Sequence, residues 1–88
     1  MTSSTGVIEA ETALVELKLR LSEALRTRRL ARRVSQEALA KHLGSSQSRV
    51  AKMEAADPTV SLDLLLRGLL VLGATPRDVA KALQQTAA

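Results

Sequence analysis

Between Ile8 and Arg32, the residues Leu14, Leu17, Leu21 and Leu25 recur at steps of three and four, which places them on one stripe of a helix. The pattern predicts a first, long helix. Glu9, Glu11 and Glu16 fall in its early part and Arg28, Arg29 and Arg32 in its last turns, an order that complements the helix dipole. Ser35 then offers an N-cap hydroxyl, and Leu39, Ala40 and Leu43 continue as a short apolar face up to Gly44, which suits a left-handed helix end. A third helix, capped by Ser45 or Ser46, runs through Glu54 with Val50 and Met53 turned inward. Ala55 to Thr59 reads as a loop, because Pro58 disfavours helical backbone at Asp57. Ser61 caps a fourth helix carrying Leu62, Leu65, Leu66, Leu69, Leu70 and Leu72, stopped by Gly73. Thr75 and Pro76 open a fifth, with Asp78 at the third helical position and Val79 and Leu83 a turn apart.

No stretch alternates apolar and polar residues as a half-buried strand would, so the fold class is all-α with five helices, the first of them extended. Residues 1–7 read as a flexible N-terminal tail and residues 8–88 as a single domain. The apolar run from Leu62 to Ala74 is interrupted by Asp63, Arg67 and two glycines, too short and too broken to span a bilayer. Met1 to Gly6 lacks the basic start of a secretion signal. A cytoplasmic protein with no membrane partner is expected.

Composition narrows the chemistry. The 88 residues include no Phe, Trp, Tyr or Cys, so the core must be built from Leu, Val, Ala and Met. Without rings, base-stacking readers of single strands are excluded. Without Cys there is neither a disulfide framework nor a zinc finger, and the lone His42 reads as an exposed helix residue. No metal and no cofactor is expected. One His and no Cys or Tyr cannot assemble a nucleophile, a base and oxyanion donors, so catalysis is not expected either.

Charge is unevenly placed. The net charge is +4, but residues 18–52 alone carry ten Lys or Arg against Glu23 and Glu37, an excess of +8. Such a concentration attracts a polyanion and releases its counterions, and duplex DNA is the expected partner.

Gln36 to Glu54 has the spacing of a helix-turn-helix. Ala40 is small where a second helix would cross, Gly44 makes the turn, and Leu39, Leu43, Val50 and Met53 fill the wedge between them. Ser46, Gln47, Ser48, Arg49 and Lys52 are left at the start and outer face of the second helix, where a recognition helix meets the major groove. Their chemistry suits that place, since Gln reads adenine through two hydrogen bonds and Arg or Lys reads guanine or holds phosphate. The same residues on a solvated polar face would be the bland alternative. Arg26, Arg28, Arg32 and Arg33 divide between phosphate contact and solvation, and Arg28 and Arg32 are assigned to phosphate.

Residues 20–74 resemble the lambda-repressor-like Xre/Cro family of DNA-binding domains, through Arg28-Arg29-Leu30-Ala31, Val34-Ser35-Gln36-Glu37 and the helix-turn-helix itself. The resemblance implies a five-helix bundle acting as a dimer. It also implies that Gln36 contacts phosphate and braces Gln47, that Gln47, Ser48 and Lys52 face base edges beside Arg49, and that Ser46 holds backbone phosphate. Arg29 would pair with Glu54. Two positions depart from the family pattern. Arg33 stands where the family has Gly, so either Arg33 takes a positive φ at a cost of about 1 kcal/mol or the first helix ends differently. Ser45 stands where an apolar turn residue is usual, leaving that corner less well packed.

Two apolar surpluses remain. Leu64 and Val71 lie off the main stripe of the fourth helix, with Gly68 between them leaving room for close approach. They form a candidate dimer surface, or else a cover for the fifth helix. Ile8, Val15 and Leu19 lie off the first helix's stripe and form a candidate dimer or partner surface. The function expected is a sequence-specific repressor that binds a palindromic operator as a homodimer. The alternative is a protein-interaction module on the same bundle that does not read DNA. With no room for a sensor domain, regulation would fall to a partner, as in the similar antitoxins of HigA type that pair with a toxin protein.

Overall fold

The computed structural model describes residues 2–84, with side chains from Gly6 onward; Met1 of the expected tail and residues 85–88 of the expected domain lie outside the described residues. Five helices follow one another, α1 (Thr2–Ala31), α2 (Gln36–Leu43), α3 (Gln47–Glu54), α4 (Leu62–Val71) and α5 (Pro76–Gln84), and the described residues contain no strand. The helix starts are written in side-chain caps. The hydroxyls of Ser35, Ser46 and Ser61 accept from the backbone N–H of Ala38, Arg49 and Leu64. Thr75 and Asp78 close a reciprocal box, in which the Asp78 carboxylate accepts from the Thr75 N–H at 2.8 Å and the Thr75 hydroxyl accepts from the Asp78 N–H at 3.2 Å.

The helix ends share one closure. After α1, α2, α3 and α4 a residue takes a left-handed conformation, in turn Arg33 (φ 57), Gly44 (φ 64), Ala56 (φ 55) and Gly73 (φ 86). The next N–H then reaches back to the last turn, as from Val34 to the Arg29 carbonyl at 3.1 Å and from Ser45 to the Ala40 carbonyl at 2.9 Å. Arg33 therefore does adopt the strained backbone that its place in the first loop predicts, and Ala56, which nothing in the sequence marks, adopts it too.

Leu21 and Leu25 of α1, Leu39 of α2, Val50 and Met53 of α3 and Leu65 and Leu69 of α4 are buried together, and Val60 joins them from the loop. Around that centre α5 packs on α1 through Ala82, with Val79 and Leu83 half-buried. The Arg20 guanidinium donates to the Leu83 carbonyl at 2.7 Å, tying the end of α5 to α1.

Several expectations need correction. α1 begins at Thr2 rather than at Ile8, so residues 2–7 are helical rather than a tail without structure. The acids Glu9, Glu11 and Glu16 accordingly lie beyond the first turn, where the dipole effect fades. The α1 stripe is covered only from Leu17 onward, and Leu14 is exposed. On α4, Leu70 is 53% exposed instead of facing the core, while Leu64 packs against the core instead of forming an outer surface. The reason is Gly68, one turn after Leu64, where an added Cβ would lie 3.0 Å from both Leu25 Cδ1 and Met53 Cε. The close approach that this glycine permits is made by α1 and α3 of the same chain.

Candidate nucleic-acid interface

α2 and α3 form a pair whose inner positions, Leu39, Ala40, Val50 and Met53, are fully buried. Because those positions are fixed, the opposite face of α3 must point outward, and Ser46, Gln47, Ser48, Arg49 and Lys52 are all exposed. Ser46, Ser48, Arg49 and Lys52 also border a shallow recess of about 150 Å³, closed on its far side by Thr59 and Val60. Thr59 was legible in the sequence only as part of a loop. Its backbone N–H donates to the Asp57 carboxylate at 2.9 Å, and its hydroxyl donates to the same oxygen. These bonds hold Asp57 below the usual carboxylate range and fix the loop beside α3.

Beneath the exposed face runs a ladder of polar contacts. Arg29 grips Glu54 through two bonds, with Nη2 donating to Oε1 at 2.9 Å and Nε to Oε2, and its Nη1 donates to the Val34 carbonyl at 2.9 Å. Both side chains are almost wholly buried, and the bonded carboxylate raises the Arg29 pKa against the opposing effect of burial. Glu54 Oε1 also accepts from Gln36 Nε2 at 3.2 Å, and Gln36 Oε1 accepts from Gln47 Nε2 at 3.1 Å. The ladder thus runs from the interior of α1 through the end of α3 and the start of α2 to the exposed start of α3. Its polarity has a consequence at the surface. The Gln47 amide keeps its oxygen and one N–H free, a donor and an acceptor side by side, which is the arrangement that matches the major-groove edge of adenine.

The other assigned residues lie elsewhere. Arg28 Nη2 sits 3.3 Å from Asp78 of α5, and Arg32 lies against Gly73, where an added Cβ would come within 3.0 Å of its Nη2. With Lys81 and Glu23 they border a cavity of about 680 Å³ between α1 and α5. The structure brings Gln36, Ser46, Gln47, Ser48, Arg49 and Lys52 together and does not bring Arg28 or Arg32 to them. Arg26 and Arg33 are exposed. Ile8, Val15 and Leu19 are exposed on α1, as is Val71 on α4.

No helix among the described residues is long and apolar enough to cross a membrane. No curated protein and no solved structure matches the chain. A family model described as a helix-turn-helix domain matches residues 20–84, which takes in α2 to α5 and the end of α1 and leaves out residues 2–19 of that helix. With α2 and α3 set as they are, and most of its length matched, the chain belongs to the helix-turn-helix domain family.

Proposed function

We propose that the chain is a sequence-specific repressor that binds double-stranded DNA as a homodimer, with α3 in the major groove. The observation that carries this reading is the exposed Gln47 amide, oriented by Gln36 and, through it, by the buried Arg29 and Glu54 pair. A solvated polar face needs no such support, whereas a base reader gains from being held in place before it meets its base. Ser48, Arg49 and Lys52 stand beside Gln47 to share base edges, and Ser46 and Gln36 flank them toward phosphate. In a dimer two copies of α3 would enter successive major grooves about 34 Å apart on a palindromic operator. The exposed Leu70 and Val71 at the end of α4 are the apolar surface offered for that contact.

The exposed apolar residues of α1 favour a second feature of the same reading, a protein partner such as a toxin whose action the chain would restrain. A gene for such a protein beside this one would support it.

The test begins with selection of bound fragments from random duplexes by the purified protein. On the selected site, Gln47→Ala should cost about 1–3 kcal/mol and relax preference at one base pair. Lys52→Ala should weaken binding and reduce the slope of log affinity against log salt by about 1. Unchanged affinity, preference and salt slope in both variants would overturn the proposal.

A further inference from the structure

Ile8, Thr12, Val15 and Leu19 are spaced four, three and four residues apart along α1, the repeat that keeps side chains on one line of a helix meeting another helix. All four are exposed, at 65% for Ile8, 57% for Val15 and 52% for Leu19. The Thr12 hydroxyl donates to the Ile8 carbonyl at 3.0 Å, so it makes no demand on a partner and turns no unpaired donor into the stripe. Every residue from Gly6 to Glu16 is exposed, so this length of α1 stands free of its own bundle. The radius of gyration, 13.9 Å, reflects it, against about 12 Å for a compact chain of this length.

One edge of the stripe is acidic. Glu9, Glu16 and Glu23 are seven residues apart and all exposed, so they form a line two turns apart alongside the apolar positions; Arg20 stands on the same edge, its Nη2 3.9 Å from Glu16, while residues 6–17 carry Glu9, Glu11 and Glu16 and no base. Lys18 borders the other edge but reaches toward its own bundle, donating to the Pro58 carbonyl at 3.4 Å. At its inner end the stripe meets a groove of about 680 Å³ between α1 and the turn after α3, walled by Leu19, Arg20, Glu23, Arg26, Ala55 and Ala56. Ser22 also lines the groove; it is 2% exposed, and its hydroxyl has no hydrogen-bond partner.

The acidic line decides between occupants. Duplex DNA is repelled by it. A second copy fits poorly in either direction. Antiparallel pairing that sets Ile8 opposite Leu19 brings Glu9 of one copy beside Glu16 of the other, and parallel pairing brings Glu11 beside Glu16; the offsetting contacts of Lys18, with Glu11 or Glu23, would require it to leave the Pro58 carbonyl of its own bundle. We infer that the α1 stripe from Ile8 to Leu19 is a docking surface for a different protein, one that presents an amphipathic helix with a basic flank. Its apolar side would cover Ile8, Val15 and Leu19, and its Lys or Arg would answer Glu9, Glu16 and Glu23. This rests on the partner half of the function proposed above and is independent of the contacts to DNA.

The test uses the full chain without DNA and two synthetic helical peptides that differ only in their flanks, with Leu at the a and d heptad positions of both and Lys or Glu at e and g. The Lys peptide should bind about tenfold more tightly than the Glu peptide, the order expected of three exposed ion pairs. The triple variant Glu9→Lys, Glu16→Lys, Glu23→Lys should reverse that preference, and Val15→Asp should abolish binding of both. Helical circular dichroism unchanged from wild type shows that these exposed substitutions leave the fold intact. Gln47→Ala should bind the Lys peptide as wild type does, which separates this surface from the reading of DNA. Equal binding of the two peptides, no binding of either, or a self-associated chain that Val15→Asp turns into monomers would each overturn the inference.

Discussion

An ionised carboxylate has no proton to give, so Glu54 dictates how the amides next to it are turned. Gln36 must present its NH₂ to Glu54 and its oxygen to Gln47, and Gln47 must answer with its own NH₂. Gln36 is half-buried and fills no core position, but its deletion takes one hydrogen bond from the buried Glu54 carboxylate, so Gln36→Ala should cost about 1–2 kcal/mol of stability. It should also lower the preference for the base pair that Gln47 reads, because the freed Gln47 amide can turn either way. Thermal melts and binding to single-base variants of the selected site measure the two effects, and equal preference in both proteins would count against the ladder. Arg33 allows a second prediction at this scale. It holds φ 57 without the freedom of glycine, so Arg33→Gly should stabilise the fold by about 1 kcal/mol, a rise of about 4–8 °C in Tm. Arg26→Gly, inside α1, should do the opposite by a similar amount. Two changes of the same chemistry and the same charge would then differ in sign, and a melt that moved both the same way would show that backbone strain is not the cause.

At the scale of the element, what was legible in the sequence was local. Ser35, Ser61, Gly44, Gly73 and the Thr75 and Asp78 pair announce helix boundaries because each satisfies a backbone group within its own turn. The inward faces of α2 and α3 were legible too, since polar neighbours on every side orient their few apolar residues. α4 was not. Its apolar residues run nearly all round, with only Asp63 and Arg67, an exposed pair 3.3 Å apart, to mark the solvent face on which Leu70 also lies, and the opposite face is set by Gly68, whose missing side chain admits Leu25 and Met53. The ion-pair partner of Arg28 was not legible for a related reason. Nothing in a run of arginines says which one meets Asp78, a residue fifty positions away. Asp78 also gives α5 a dependence on pH. The Thr75 N–H and hydroxyl, its largest influences, hold the Asp78 carboxyl below its ordinary value, with Arg28 adding to them. A group depressed in the folded state stabilises fully above its unfolded pKa of about 4, and that contribution is lost as the pH falls through the folded value. Tm measured from pH 7 to pH 2 should therefore drop more steeply below about pH 4 in the wild type than in Asp78→Ala. Parallel acid limbs would show that the cap does not contribute.

Across the whole molecule the charges and the apolar surfaces are sorted by place. The exposed outer face of α3 carries Arg49 and Lys52 and no acid before Glu54, which is turned inward to Arg29. The free part of α1 carries Glu9, Glu11 and Glu16 beside exposed Val7, Ile8 and Val15. With Arg49 and Lys52 on the outer face of α3 and Glu9, Glu11 and Glu16 on the free part of α1, the chain can hold a polyanion and a basic protein at the same time without either competing for the other's contacts. The measurement that tests this most directly is the change in backbone amide chemical shifts when the selected duplex is added to labelled protein. The largest changes are expected at residues 46–52 and at Gln36, with residues 8–16 of α1 unmoved. Changes centred on Arg28, Arg32 and Lys81 between α1 and α5, with α3 silent, would contradict it.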